Sequence, residues 1–362
     1  MRVFLIGGAR PNFMKIAPIY RASLAVPGVE CRIVHTGQHY DREMSQSFFE
    51  ELDIPEPAFY LEAGSGSHAV QTAKIMVAFE EVCEKERPDL VMVVGDVNST
   101  LACSVVAKKL GIRVAHVEAG LRSFDLAMPE EINRMVTDAI TDWFFVTEES
   151  GATNLRREGK PADRIHLVGH VMIDNLLHQV KKLENAPIRD SVKALRRESG
   201  AKETYAFLTL HRPSNVDDKT TFMGIAGALN EIAKEMPIFF PVHPRTQKMM
   251  ESFQIRFSEN IHLLPPLGFT EALFLWKDAR VVLTDSGGLQ EETTALGVPC
   301  VTIRENTERP ITVALGTNVL AGTSREGILK AVRESLVKAV NASVPPLWDG
   351  RAAERIWGVL GG

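Results

Sequence analysis

The stretch Val281-Val282-Leu283-Thr284-Asp285-Ser286-Gly287-Gly288-Leu289-Gln290-Glu291-Glu292 decides how the rest of the chain is read. An apolar, strand-like run breaks at Ser286-Gly287-Gly288 and continues into a helix-compatible segment. Glycines there permit a tight turn and close backbone approach, and the first N–H groups of the following helix, at its positive dipole end, favour an anion. Glu292 falls about one turn into that helix, where a carboxylate repels phosphate but accepts hydrogen bonds from sugar hydroxyls. A sugar nucleotide presents both groups. The competing reading is an ordinary strand-to-helix turn, common in α/β proteins, so the motif needs partners elsewhere.

The same strand–turn–helix pattern recurs outward in both directions. In the first half the runs Val3–Ile6, Arg32–Gly37, Leu90–Val94, Val114–Val117, Trp143–Thr147 and Ile165–Val168 are short and apolar on both faces, as buried parallel strands are. In the second half Tyr205–His211, Ile238–His243, Ile261–Leu264, Val281–Thr284, Cys300–Ile303 and Thr317–Leu320 restart the pattern. This predicts two α/β, doubly wound domains in tandem, residues 1–168 and 169–347, with a helix in 348–362 packing back on the first. The carboxyl ends of their strands, where ligands bind in such domains, are expected to face each other across a cleft. A chain of 362 residues supports two cores.

Composition narrows the partners. A net charge of −5 gives no basic footprint for nucleic acid, and no apolar run approaches a membrane span. Cys31, Cys83, Cys103 and Cys300 form no C-x-x-C pair or metal spacing and read as reduced core thiols, which points to the cytoplasm.

Several polar residues follow the apolar runs. Arg10 and Lys15 bracket the first turn and its helix and bring positive charge to that strand edge, where a diphosphate would be met; the alternative is plain solvation. Asp96, Glu118 and Glu130, with Glu131 adjacent, gather carboxylates at one edge. Crowded carboxylates shift one another's proton affinity, as acid–base catalysis requires. Asp96 alternatively caps the helix begun at Asn98, and Glu118 has Arg122 near enough to pair with it. His211 and His243 follow strands of the second half; either donates to a phosphate or merely satisfies backbone carbonyls, the second role fitting His243 better. Arg309, in the loop after Ile303, is a candidate diphosphate clamp, with a salt bridge to Glu305 or Glu308 as the alternative.

Taken together, Gly-Ala-Arg-Pro-Asn-Phe-Met-Lys (8–15), Thr-Gly-Gln-His (36–39), Gly-Asp (95–96), His-Val-Glu-Ala-Gly-Leu-Arg (116–122), Pro-Glu-Glu-x-Asn-Arg (129–134), His-Arg (211–212), Thr-Asp-Ser-Gly-Gly-x-Gln-Glu-Glu (284–292) and Thr-Glu-Arg-Pro (307–310) resemble the non-hydrolysing UDP-N-acetylglucosamine 2-epimerases over most of the chain. The resemblance implies a GT-B fold of two Rossmann-like domains, a UDP-sugar substrate, a homodimer, and interconversion of UDP-GlcNAc and UDP-ManNAc through elimination of UDP to a 2-acetamidoglucal. It implies Asp96, Glu118 and Glu130 in proton transfer, with His211 assisting near the diphosphate. Arg10, Lys15, Ser286, Gly287, Gly288 and Arg309 are placed on the UDP phosphates, and Glu292 on the ribose. Neither a metal nor any other cofactor is implied, because UDP itself is the leaving group. Which carboxylate is the base stays open.

The sequence departs from the family pattern in places. The loop 40–46 is longer than in typical bacterial members and the segment between Arg122 and Pro129 shorter, near where those members bind an activating second UDP-GlcNAc, so such activation is not carried over. His211-Arg212-Pro213-Ser214-Asn215 and Gly169-His170 also differ, which leaves a related UDP-sugar, such as a 2,3-diacetamido uronic acid, as an alternative substrate. A hydrolysing relative, a GT-B glycosyltransferase and a non-catalytic UDP-sugar sensor are the other readings.

Overall fold

A computed structural model describes residues 1–37, 46–198 and 205–361. Gln38 and His39 of the Thr-Gly-Gln-His motif and residues 40–45 of the following loop lie outside the described residues. The chain forms two compact units, Met1–Asn175 with Pro346–Gly362, and Leu176–Pro345. The divide falls inside the helix Val171–Lys182 rather than at the strand end near residue 168.

In the first unit β1 (Arg2–Gly7), β2 (Glu30–His35), β3 (Phe59–Tyr60), β4 (Leu90–Val94), β5 (Arg113–Val117), β6 (Trp143–Val146) and β7 (Ile165–Leu167) form one parallel sheet ordered β3-β2-β1-β4-β5-β6-β7. The apolar runs are continuous because helices cover both faces. Phe4, Val91 and Val93 pack with Phe79, Cys103 and Val106 on one side. Val3, Leu5, Met92 and Val94 pack with Phe13, Ile16 and Ile19 on the other. Each such side chain contributes roughly 1.5–3 kcal/mol by leaving water. β3 was not expected: two residues carry too little pattern to register as a strand.

The C-terminal helix Ala352–Leu360 lies on the helix Arg10–Ser23 through Ile356 and Trp357, and Trp357 Nε1 donates to the Ile19 carbonyl at 2.8 Å. Its first turn is capped by Asp174, which accepts the N–H groups of Ala352 at 3.1 Å and Ala353 at 2.8 Å. Trp357→Phe removes the indole donor and part of the ring, so a loss of about 1–3 kcal/mol is expected in urea unfolding. A loss under a few tenths would show that this helix does not fasten the unit.

In the second unit β8 (Ala206–Thr209), β9 (Ile238–Pro241), β10 (Ile261–Leu264), β11 (Val281–Thr284), β12 (Cys300–Thr302) and β13 (Asn318–Leu320) form a parallel sheet ordered β10-β9-β8-β11-β12-β13. β8 stops at Thr209 although the apolar run reaches Leu210, because the next N–H groups leave the ladder: those of His211 and Arg212 go to Asp285 Oδ2 at 2.8 and 2.7 Å. In each sheet the strand order reverses beside the first strand, between β1 and β4 and between β8 and β11. A doubly wound sheet opens a ligand crevice at the carboxyl ends of such a pair. Among the described residues no helix is long and apolar enough to cross a membrane.

Candidate functional site

At the carboxyl ends of β1, β4 and β5 the structure brings together Lys15, Asp96, Glu118 and Arg134. The ammonium of Lys15, on the helix Arg10–Ser23, hydrogen-bonds Glu118 Oε2. Arg134, on the helix Pro129–Ile140, donates one N–H to Asp96 Oδ2 and another to the Glu118 carbonyl. The carboxylates are therefore interleaved with cations instead of crowding one another. Lys15 meets a carboxylate here, whereas Arg10 is exposed, its guanidinium 5.0 Å from the centroid of the Phe48 ring.

Glu118 is buried and its backbone has φ of 71°, a left-handed conformation that costs a side-chain-bearing residue about 1–3 kcal/mol. Gly95 sits opposite with φ of 68°; a Cβ on it would come within 3.1 Å of Lys15 Nζ and 3.5 Å of Glu118 Oε2. Only glycine fits that turn without pushing on the ion pair.

Two expectations need correction here. Asp96 does not cap the helix Asn98–Lys109: the N-cap is Val97, and Asp96 is spent on Arg134. Arg122 does not pair with Glu118 but with Asp138 at 2.8 Å and Glu158 at 2.7 Å. Of the adjacent pair, Glu130 stands exposed on the first turn of its helix, while Glu131 is buried and accepts the N–H groups of Ser123 at 2.8 Å and Phe124 at 3.1 Å, shaping the loop after β5.

In the second unit His211 follows β8 and Asp285 follows β11. Asp285 Oδ1 lies 2.9 Å from His211 Nδ1, and its Oδ2 also accepts from Asn215 Nδ2 at 3.3 Å. Burial alone would raise the Asp285 carboxyl, yet the bonds from His211 and Arg212 hold it below its ordinary value. The anion beside Nδ1 leaves Nε2 as the nitrogen available to a ligand. His243 plays a different part: its Nδ1 accepts the Arg245 N–H at 3.2 Å, so the ring caps the helix Pro244–Phe253 rather than serving carbonyls as expected.

Ser286 is the N-cap of the helix Gly287–Leu296, and no side chain caps it. Gly287 and Gly288 are helical, and a Cβ on either would meet nothing within 4 Å. The expected tight turn is therefore not what these glycines supply: they keep the approach to the first N–H groups clear. Behind them Gln290, fully buried, accepts from Thr307 Oγ1 at 2.6 Å and Asn318 Nδ2 at 3.0 Å, which ties the loop carrying Arg309 to the helix. Arg309 Nε sits 2.8 Å from Glu291 Oε1. Neither weighed partner takes it: Glu308 binds Arg304 twice, at 2.6 and 2.8 Å, and Glu305 accepts from Thr323.

Glu292 is buried on the same helix, and desolvation, helped by the neighbouring Glu291 charge, pushes its carboxyl up to about 8. Because this value lies above the ordinary 4.5, folding favours the neutral form; that contribution is whole below pH 4.5 and is lost as pH rises through 8. Glu292→Gln is accordingly expected to be more stable than the parent at pH 8.5 by roughly 4 kcal/mol, with no difference at pH 4. Thermal melts across that range check it, and equal melting temperatures at pH 8.5 would contradict it.

Arg134, Asp138, Asp285 and Glu291 carry this arrangement and were not singled out from the sequence. Arg134, Asp285 and Glu291 stand inside quoted motifs, but their partners lie on other elements of the chain.

Two tandem doubly wound units, one with an ion-paired carboxylate cluster and one with a helix N-terminus that no side chain caps, define the class as GT-B α/β proteins. The family model described as UDP-N-acetylglucosamine 2-epimerase matches residues 22–361, and the chain belongs to that family. It is 43% identical over 366 residues to the UDP-N-acetylglucosamine 2-epimerase of Methanocaldococcus jannaschii, covering 99% of both chains. It is 39% identical over 359 residues to the UDP-2,3-diacetamido-2,3-dideoxy-D-glucuronate 2-epimerase of Pseudomonas aeruginosa, covering 98% of each. The crystal structure of the Methanocaldococcus jannaschii enzyme in complex with UDP-GlcNAc and UDP matches with a TM-score of 0.84 over 99% of both chains. That of the Neisseria meningitidis enzyme bound to UDP-GlcNAc matches with a TM-score of 0.85 at 28% identity, again over 99% of both.

Proposed function

We propose that this chain is an isomerase that interconverts UDP-GlcNAc and UDP-ManNAc at C2. A base of the Asp96–Glu118 cluster takes the C2 proton, the C1–O bond breaks with its electron pair passing to UDP, and a C1=C2 double bond forms. Reprotonation at C2 on the other face and attack of the UDP oxygen on C1 complete the exchange. The observation that carries this is the pairing of Lys15 with Glu118 and of Arg134 with Asp96 at the end of β4 and β5. Such pairs hold the carboxylates in fixed orientations, as proton transfer to and from a positioned side chain requires. Glu130, exposed on its helix, is kept as a third proton-transfer group.

For the leaving group we assign the N–H groups at Ser286, Gly287 and Gly288, the guanidinium of Arg309 and the imidazole of His211 to the diphosphate, and Glu292 to the ribose. Arg10 and Lys15 are assigned to the phosphates as well. The test is to incubate the purified protein with UDP-GlcNAc and follow both epimers and free UDP. A second UDP-sugar approaching a fixed ratio without UDP build-up is expected. Stoichiometric UDP release would identify a hydrolysing enzyme, and no turnover without an acceptor would favour a glycosyltransferase.

The Pseudomonas aeruginosa relative, at 39% identity, favours a second reading in which the sugar is a 2,3-diacetamido uronic acid. Competition between the two UDP-sugars decides between them by their kcat/KM ratio. A cytoplasmic homodimer belongs to the proposal. The four cysteines are unbridged, and Val70, Val77, Ile132, Met135 and Val136 are exposed on helices that border an apolar groove of about 510 Å³. Light scattering at twice the monomer mass is the expected result.

A further inference from the structure

His116 lies in β5 and is completely buried together with Asp138. Its Nε2 is 2.8 Å from the Gly95 carbonyl and its Nδ1 is 2.7 Å from Asp138 Oδ1. A carbonyl oxygen only accepts, so Nε2 carries a proton. Asp138 Oδ2 already accepts the Gly120 N–H at 3.0 Å and lies 2.8 Å from Arg122, which itself reaches Glu158. Burial by itself would raise the Asp138 carboxyl, but His116 and Arg122 hold it below its ordinary value. Asp138 thus holds His116 Nδ1 through one oxygen and the Gly120 N–H through the other, and the ring is tied at both nitrogens.

The groups it joins are the turns that present the acid–base carboxylates. Gly95 immediately precedes Asp96, and Gly120, held by Asp138, comes two residues after Glu118. Gly95, Glu118 and Gly120 have φ of 68°, 71° and 77°, so both turns pass through left-handed backbone. A side-chain-bearing residue such as Glu118 keeps that conformation only where its surroundings enforce it. We propose that His116 is a positioning residue: a buried imidazole that, with Asp138, clamps the Gly95–Asp96 turn to the Glu118–Gly120 turn and so sets the geometry of the two carboxylates. The proposal rests on the reading of Asp96 and Glu118 as proton-transfer groups.

Two measurements test it. In the full-length protein labelled with ¹⁵N-histidine, the His116 ring, assigned by its absence in His116→Gln and retained in Asp138→Asn, is expected in the parent to carry a proton on Nε2 at pH 7. In those variants kcat is expected to fall by roughly 10- to 100-fold, as an ångström-scale misplacement of reacting groups does, while KM and UDP affinity stay within about twofold. An Nε2 without its proton at pH 7, or kcat within about twofold of the parent in a folded His116→Gln, would overturn the proposal. If His116→Gln fails to fold, the parent spectrum and the kinetics of Asp138→Asn decide alone. Asp96→Asn and Glu118→Gln are run beside them: full turnover in both refutes the reading of those carboxylates, whatever the His116 spectrum shows.

Discussion

Glu118→Gln is expected to lower turnover by about 10²- to 10⁴-fold while UDP affinity stays within about twofold of the parent, the effect of removing a proton-transfer group. Glutamine is nearly isosteric with glutamate and accepts the Lys15 hydrogen bond through its amide oxygen, so the fold around it persists. Neither proton pickup nor the pairing of a full negative charge with Lys15 survives. The assigned diphosphate and ribose contacts lie mainly on other elements, the helix Gly287–Leu296 and the loop carrying Arg309, which separates the two measurements. Calorimetry with UDP and initial rates with UDP-GlcNAc check the two halves. Equal turnover in a folded variant would remove Glu118 from the mechanism.

Gly288→Val is expected to weaken UDP binding by roughly 100- to 1000-fold, or about 3–4 kcal/mol, with little change in stability. The reasoning turns on empty space. A Cβ at Gly288 meets nothing within 4 Å, and the residue is helical, so a side chain starts there in open space from ordinary helical backbone. What it does is fill the approach to the N–H groups of the first helical turn, where two or three charge-assisted hydrogen bonds to phosphate would form. Undiminished UDP affinity in the variant would show that the diphosphate does not sit at this helix terminus. A collapsed melting temperature would show that the glycine serves the fold.

The sequence made the strands legible because each run is apolar on both faces, a pattern that buried parallel strands require and amphipathic helices do not produce. Twelve of the thirteen observed strands follow such runs, and the one that does not, β3, is two residues long. The residues of the site were legible by type and position after strands. Their pairings were not, because these depend on which elements become neighbours. Lys15 reaches Glu118 only because β1, β4 and β5 are consecutive in the sheet while 103 residues separate the two in the chain. Asp285 looked like part of a glycine turn until β11 was seen beside β8, where its carboxylate receives the two N–H groups that end β8. Glu131 and Glu130 are adjacent in sequence, and only helix phase, set by Pro129 at the first turn, decides which one turns inward.

The central claim is that a proton at C2 of the sugar is removed and returned. It is tested most directly by incubating the protein with UDP-GlcNAc in D₂O and recording the proton spectrum of the recovered UDP-sugars. The account predicts loss of the C2 proton signal in the UDP-ManNAc formed, and progressive loss in recovered UDP-GlcNAc, at a rate that falls with turnover in Glu118→Gln. Retention of the C2 proton in both epimers while their ratio changes would contradict it.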